Sequence, residues 1–338
     1  MEHIAIDLGG RDSQVCIRRS DGTIVDERRI ETAGLARFFT TIPSSRVLVE
    51  TCAESFGVAD AAIAAGHEVR VVPASLVRSL GVGARRIKTD RRDAQALSEA
   101  SCRMDLPSVH IPSVEARRKR SLCAMRAALV RSRTLLVNTV RGWLRTNGLS
   151  IRATPETLPA RVRERGGGAV PEHVTRTLHS IAELTTQIRQ GDRALFEIAR
   201  ADDVCRRLMT VPGVGPITAV LFQSTVDDQQ RFGGAHLVEA YLGLVPGEHS
   251  SSGRQRRLSI TKAGSDVVRT SLVQAAWSAR RTRRADPMVQ WSIEVERRRG
   301  QKIAIVALAR KLAGILFALW RDGGVYDPRR GAGTPSTI

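Results

Sequence analysis

Residues 3–10 read HIAIDLGG, a short apolar run that ends in an aspartate and two glycines. This pattern is typical of a buried strand followed by a turn. Four more short apolar or alternating runs follow in the first 72 residues, at Ser13–Arg18, Thr23–Ile30, Val47–Glu50 and Glu68–Val72. Helical patterns at Ala33–Thr41 and Phe56–Ala65 separate the last three runs, and Pro73 ends the series.

The predicted order is three strands in a meander, then helix, strand, helix and strand, which is the ribonuclease H-like pattern. Strands that are separated by helices are expected to form the parallel part of one sheet. The fold class is therefore α/β plus α. We predict an α/β domain over residues 1–108, a basic helical segment over 109–200, a mainly helical domain over 201–326 and a disordered tail over 327–338.

The charge balance indicates a polyanionic partner. The 338 residues include 53 Lys plus Arg against 34 Asp plus Glu, which gives a net charge of +19. Nucleic acid is the first candidate for such a partner. Aromatic residues make up only 4% of the chain, so contacts to the phosphate backbone should dominate over base stacking.

The cysteines and the apolar segments predict a cytoplasmic protein. Five cysteines without a CxxC pair disfavour both a disulfide framework and a thiolate zinc site. The N-terminus has no basic stretch followed by an apolar one, so we expect no signal peptide. The most apolar late segment, Ile303–Trp320, carries Arg310 and Lys311 at its centre, which argues against a membrane span.

Two apolar stripes at helical spacing run through the basic segment. The first consists of Leu122, Met125, Leu129, Leu136, Val140 and Trp143, and the second of Val174, Leu178, Ile181, Ile188 and Leu195. Two long helices packed as an antiparallel coiled coil or as a dimer seam fit these spacings, and a plain helical linker is the alternative. Asn147-Gly148 predicts the end of the first helix, and the prolines and glycines from Pro155 to Pro171 predict a loop.

A GVG turn at 213–215 separates the helical patterns Cys205–Val211 and Ile217–Gln223. This is the form of a helix-hairpin-helix, although an ordinary turn between two helices has the same pattern. In a helix-hairpin-helix, Gly213 and Gly215 allow close backbone approach and leave N–H groups free to bind nucleic-acid phosphate.

Four carboxylates could serve phosphodiester chemistry with two metal ions, which stabilise the attacking and leaving oxygens. Asp7 ends the first strand and Glu50 ends the fourth, so the two share one sheet edge if these strands are neighbours. Asp90 and Asp93 are three residues apart on a predicted helix and therefore share a face. The alternative is a pair of ion-paired helix positions, since basic residues flank them at Lys88, Arg91 and Arg92.

Seven motifs occur over about residues 3–322 in the same order as in the IS110 family of insertion-sequence transposases, which the chain therefore resembles. The motifs are AIDLGG, VLVETC, KTDRRDA, VPGVGPITA, AYLGLVP followed by SSSG, ITKAG, and KIAIVALARKLAGILFALW. The resemblance implies an N-terminal RuvC-like DEDD domain joined to a C-terminal transposase domain with a catalytic serine. It also implies a DNA recombinase directed by a structured non-coding RNA, the bridge RNA, which pairs with donor and target DNA.

By this resemblance, Asp7, Glu50, Asp90 and Asp93 are the DEDD residues and bind magnesium, with two ions per acidic site. Arg91 and Arg92 beside them are expected to bind nucleic acid. The resemblance further suggests a homo-oligomer, a dimer or tetramer, in which the acidic site of one subunit and the serine of another combine.

The implied nucleophile is Ser252, which directly precedes Gly253 in a segment expected to be a flexible loop. Ser251 and Ser250 are the alternatives, and His249 is either a base or a solvated loop histidine. Basic residues of the same segment can bind nucleic acid and neutralise charge on the reacting phosphate, namely Arg254, Arg256, Arg257 and Lys262.

Three rival functions fit parts of the pattern. AIDLGG followed by a hairpin also occurs in kinases of the actin and hexokinase type, but a small-metabolite kinase has no need of a net charge of +19. A metal-dependent junction resolvase would use water as the nucleophile and leave Ser252 structural. A non-catalytic nucleic-acid binder would use the GVG turn and the basic helices alone.

Overall fold

The computed structural model describes residues 1–79, 89–166, 170–251 and 254–329. The chain divides into two compact units, Met1–Pro112 and Ser113–Ile338. The first is a mixed α/β unit built on a sheet and the second is mainly helical, as predicted at this level. The predicted boundary at residue 200 falls inside the second unit and stays a prediction.

A five-stranded sheet forms the centre of the first unit, in the order β3-β2-β1-β4-β5. The strands are β1 (Glu2–Asp7), β2 (Asp12–Arg19), β3 (Ile24–Glu31), β4 (Arg46–Glu50) and β5 (Glu68–Val72). The first three form an antiparallel meander, whereas β4 runs parallel to both β1 and β5. The expected parallel pairing is thus confirmed for β4 and β5, and the ribonuclease H-like assignment stays a prediction.

Helices cover both faces of this sheet. They are α1 (Leu35–Thr40), α2 (Ser55–Ala64), α3 (Ala74–Ser79) and α4 (Asp90–Arg103). Because side chains alternate along a strand, Ile4 and Ile6 of β1 pack with Phe39 and Ala59 on one face. Ala5 packs with residues of α4 on the other. This layering places the start of α4 beside the sheet.

The second unit contains nine α-helices and a two-stranded sheet within the described residues. The helices are α5 (Val114–Thr146), α6 (Leu158–Gly166), α7 (Glu172–Ala201), α8 (Asp203–Leu208), α9 (Pro216–Val226), α10 (Ala235–Tyr241), α11 (Asp266–Thr282), α12 (Pro287–Arg299) and α13 (Gln301–Asp322). The strands β6 (Pro246–Ser251) and β7 (Arg254–Ile260) form an antiparallel hairpin between α10 and α11.

The long helices α5 and α7 pack antiparallel. Near one end Arg126 Nε donates to Asp192 Oδ1 at 2.7 Å, and at the other end Val140 shares a buried cluster with Leu178. The stripe predicted on α7 is buried as expected. On α5 the expectation is wrong in part, because Met125 is 66% exposed. Val140 of the predicted stripe is buried, and the other buried positions of α5 are Ala116, Lys119, Cys123, Val137 and Leu144.

The loop predicted between these helices contains α6. Pro159 lies in the first turn of α6, where a helix has no N–H bond to lose, so the proline does not prevent a helix. Leu158 and Val162 are fully buried in the cluster that α5 and α7 share. Burial of these two side chains therefore outweighs the loop signal of the prolines.

Helix α13 is long and apolar enough to cross a membrane by length and composition. Eight of its residues are buried, and several of them, such as Leu308 and Phe317, lie in the main cluster of the second unit. Arg310, near the centre of the helix, pairs with Glu239 of α10. The packing is that of a core helix.

Candidate active site

Two carboxylates lie at the carboxyl ends of neighbouring parallel strands. Asp7 is the last residue of β1 and Glu50 the last of β4, and the residues just before them, Ile6 and Val49, are register partners. A third carboxylate, Asp93, comes from the first turn of α4 and is only 6% exposed. All three line one small cleft, together with Ile6, Val77, Ala94 and Leu97.

Asp90, the fourth predicted carboxylate, is the first residue of α4 and is exposed. It does not line this cleft, although its spacing from Asp93 places both on one helix face. Thr89 caps the helix, and its hydroxyl accepts a hydrogen bond from the Arg92 N–H at 3.4 Å. The positive N-terminal end of the α4 dipole also stabilises the negative charge of Asp90. The structure therefore brings three of the four carboxylates together.

The two arginines beside these aspartates have different surroundings. Arg91 Nε donates to Glu27 Oε2 of β3 at 3.1 Å. This hydrogen bond is the main reason that the pKa of Glu27 is lowered. Arg92 is exposed. Arg91 thus ties α4 to the sheet, and the role of both arginines in nucleic-acid binding stays a prediction.

The donor set at the cleft suits a hard divalent cation, because carboxylate oxygens are the ligands that magnesium prefers. Among the described residues, however, no group of three or more His, Cys, Asp or Glu side chains is arranged to hold a metal ion. The cleft measures about 10 Å³, roughly the space of one water molecule. It would have to widen to take two ions.

In the part that the structure describes, the predicted serine segment forms two paired strands and not the expected loop. Ser250 pairs with Gln255 and Ser251 pairs with Arg254, so both serines belong to β6. The predicted arginines at 254, 256 and 257 belong to β7. Ser252 and Gly253, which join the two strands, lie outside the described residues.

A close crossing of two chain segments holds the base of this hairpin. Gly243 has a φ of +69°, and a Cβ there would stand 2.3 Å from the carbonyl oxygen of Ala263. Lys262 has a φ of +57°, and its N–H donates to Gly243 O at 3.2 Å. Arg269 of α11 donates to Gly264 O at 3.1 Å. These contacts anchor the hairpin to α11.

The two glycines of the GVG turn have different surroundings. Gly213 has a φ of +83°, and a Cβ on it would lie 2.1 Å from the carbonyl oxygen of Ala275. This position requires glycine, because the turn packs directly on the backbone of α11. A Cβ on Gly215, the N-cap of α9, would meet no atom within 4 Å. Both glycines line a cleft of about 830 Å³. The helix-hairpin-helix assignment and the binding of phosphate here stay predictions.

One basic cleft was not predicted from the sequence. Arg141 and Arg145, at the end of α5, line it together with Arg152 from the segment that follows. The available signal was the Asn147-Gly148 helix end, which implies that the chain turns back along the helix.

Two family models match this chain. A DEDD transposase model of the IS110 type matches residues 4–147, and the model described as transposase IS116/IS110/IS902 family matches residues 205–290. Together they cover more than half of the chain.

Proteins of similar sequence carry transposase names. The transposase for insertion sequence element IS1111A of Coxiella burnetii is 30% identical, over 94% of this chain and 88% of that protein. A probable family 20 transposase of Pseudomonas aeruginosa is 30% identical, over 97% of this chain and 99% of its own length. The transposase for element IS1328 of Yersinia enterocolitica is 27% identical, over 96% and 98%. With both family models and relatives matched over most of their length, the chain belongs to the IS110 family of insertion-sequence transposases.

Proposed function

We propose that this transposase cuts and rejoins DNA strands by transesterification through a phosphoserine intermediate. The meeting of Asp7, Glu50 and Asp93 at one cleft is the observation that most strongly supports metal-assisted chemistry on a phosphodiester, and the family resemblance supports the serine. Carboxylates repel one another, and three of them converge from two strands and a helix. Carboxylate oxygens gathered at one cleft are a donor set that suits a cationic ligand.

The proposed ligand is magnesium, held by Asp7, Glu50 and Asp93, with Asp90, which does not line the cleft in this structure, as the fourth proposed ligand. Bound there, magnesium would stabilise negative charge on the reacting phosphate oxygens. The apolar side chains that line the cleft, Ile6, Val77 and Leu97, would exclude water from the carboxylates. Lower local dielectric strengthens the attraction between the carboxylates and a cation.

The proposed nucleophile is Ser252, with Ser251 and Ser250 as the alternatives. Its hydroxyl oxygen attacks the phosphorus and loses its proton, and a phosphorus–Oγ bond forms. The bond from phosphorus to the deoxyribose oxygen breaks, and that oxygen takes up a proton. Attack by a free DNA hydroxyl on the phosphoserine reverses the step and releases the serine. Each step exchanges one phosphodiester for another, so no ATP is consumed.

The hairpin supports this assignment through its position. Ser250 and Ser251 lie at one end of two paired strands, and the crossing of Gly243 with Ala263 holds the other end. A rigid base allows a reactive group at the tip to be positioned. Arg254, Arg256, Arg257 and Lys262 are proposed to neutralise charge on the phosphate. We also propose a guiding non-coding RNA and a dimer or tetramer that joins the acidic site and the serine of different subunits.

A covalent trap tests the nucleophile. The full-length protein is incubated with its RNA, magnesium and a nicked suicide substrate that carries the ends of its element. We expect a DNA adduct on a peptide that spans Glu248–Arg254, which mass spectrometry assigns to one serine. Ser252→Ala should abolish the adduct and still bind DNA and RNA, because removing one hydroxyl costs little stability.

Ser251→Ala and Ser250→Ala are the matched controls and should keep the adduct. An adduct that moves to Ser251 or Ser250 would reassign the nucleophile and leave the mechanism in place. Clean cleavage by all three variants, with no protein-linked DNA from the native protein, would instead assign the reaction to a water-using resolvase.

A further inference from the structure

A basic pocket of about 420 Å³ lies at the C-terminal end of α5. Arg141, Leu144 and Arg145 form one wall, and their spacing of three and four residues places them on one face of the helix. The segment 149–153 forms the other wall and contributes Arg152 and Ser150. The volume is at the lower end of the range for small-molecule sites.

A tight turn creates this pocket. Gly148, with a φ of +69°, ends the helix, and its N–H donates to Arg145 O at 3.1 Å. The Leu149 N–H donates to Leu144 O at 2.8 Å, so two of the last helical carbonyls are satisfied. The chain then runs back beside the helix, and Arg141 Nη2 donates to Ala153 O at 2.9 Å. Both walls are therefore fixed to each other.

The charge in the pocket is uncompensated. No carboxylate of the described residues forms an ion pair with Arg141, Arg145 or Arg152. Elsewhere on the same helix, Arg126 pairs with Asp192 and Arg133 pairs with Glu156. Three cations at one concave site repel one another, and an anion would relieve that repulsion.

The apolar residues of the two walls form the floor of the pocket and restrict what that anion can be. Leu144 is 2% exposed, and Leu149 and Ile151 are half-buried beside it. A cationic rim over an apolar floor suits a ligand with one charged and one flat apolar part. An unpaired nucleotide has both, whereas the bases of a duplex are stacked inside it and cannot enter a concave pocket.

We propose that this pocket binds one unpaired nucleotide of a nucleic-acid strand. Arg145 and Arg152 hold the phosphates on either side of it, Arg141 shapes the pocket, and the sugar or base contacts Leu149 and Ile151. This site rests on the proposed action of the protein on nucleic acid, but it is separate from the acidic cleft and the serine hairpin.

Binding of short single strands tests the proposal. The full-length protein is titrated against fluorescein-labelled oligouridine RNA and the matching oligodeoxyuridine DNA over a range of salt. Arg145→Ala/Arg152→Ala should weaken binding about tenfold or more. It should also lower the log–log salt slope by about 1.4, since each phosphate contact on a single strand contributes about 0.7.

The matched control is Arg189→Ala/Arg193→Ala, which removes two exposed arginines of α7. It lowers the net charge by the same amount as the pocket variant. An effect of the pocket variant on RNA alone would identify the strand as RNA, and an effect on DNA alone would identify it as DNA. If the pocket variant and the control lower the affinity for the RNA and the DNA oligomer equally, or both leave it unchanged, the proposal is overturned.

The covalent trap, run on the same variants, separates this site from the proposed function. If the native protein forms the serine adduct and Arg145→Ala/Arg152→Ala binds single strands no more weakly than the control, the pocket proposal is rejected and the phosphoserine mechanism is kept. If Arg145→Ala/Arg152→Ala weakens single-strand binding but the native protein never forms an adduct, the phosphoserine mechanism is rejected and the pocket proposal is kept.

Discussion

At the scale of single residues, Asp93 is the most constrained of the proposed ligands. It is buried, it belongs to the first turn of α4, and it meets Asp7 and Glu50 across the sheet edge. Replacing Asp7, Glu50, Asp90 or Asp93 by Ala should abolish recombination. Far-UV circular dichroism and the unfolding midpoint should stay near native, because each change removes a ligand but also relieves repulsion.

Glu99→Ala is the control for this set, since Glu99 lies on the same helix in a surface pair with Arg103. Surface pairs contribute little to stability, so this variant should recombine normally. Full recombination by Asp90→Ala or Asp93→Ala would reject the assignment of the acidic site.

The two glycines of the GVG turn should respond differently to the same change. Gly213→Ala places a Cβ against the backbone of α11 at a positive φ, so it should lower the free energy of unfolding by about 3 kcal/mol or more. Gly215→Ala meets open space and should cost about 1 kcal/mol or less. Urea unfolding measures both, and equal losses would contradict the packing role of Gly213.

At the scale of elements, a buried polar cluster joins α5, α8 and α9. Lys119, which is 8% exposed, lies 3.2 Å from Asp202 Oδ2 and donates to Gln223 Oε1 at 2.9 Å. Asp202 also accepts from the Cys205 N–H at 3.0 Å and so caps α8. Burial alone would raise the pKa of Asp202, but the hydrogen bonds from Cys205, Gln223 and Lys119 outweigh it, and the pKa is lowered.

Removing this lysine should be costly in a pH-dependent way. Lys119→Ala leaves a partly buried carboxylate without its cation and should lower the free energy of unfolding by about 3 kcal/mol at neutral pH. Because the pKa of Asp202 is lowered on folding, its stabilising effect is full above the unfolded value of about 3.8 and is lost as pH falls through the folded value. The loss in Lys119→Ala should therefore shrink in acid.

Urea titrations from neutral pH into the acid range measure this effect. The neighbouring Arg118→Ala removes a charge paired with exposed Glu115 and should cost about 0.5 kcal/mol or less at every pH. A loss in Lys119→Ala that does not change with pH would show that the lysine acts through packing alone.

At the scale of the whole molecule, the net charge of +19 should dominate affinity for DNA. Each phosphate neutralised on duplex DNA contributes about 0.9 to the slope of log affinity against log salt. We expect a steep slope in a fluorescence-anisotropy titration, with α5 contributing a large share. A neutral osmolyte at matched osmolality should leave affinity unchanged, and a nearly flat salt dependence would mean that this charge is not the binding surface.

Local patterns in the sequence were enough to predict the strands, the long helices and the sheet edge that Asp7 and Glu50 share. Apolar periodicity reports which side of an element is buried, and parallel neighbouring strands end at one edge. This is why Asp7 and Glu50 could be placed together before the structure was known. The motif order also predicted the family, because seven short matches in register carry far more information than any one of them.

Long-range packing decided the rest. The buried face of α5 uses Ala116, Cys123 and the paired Lys119, which a search for large apolar residues does not find. The serine segment forms a hairpin because its two halves pair with each other, and Gly213 is required by a backbone 62 residues away at Ala275. The basic pocket depends on a return of the chain along α5. Each of these features depends on which distant atoms meet, and sequence periodicity contains no distances between elements.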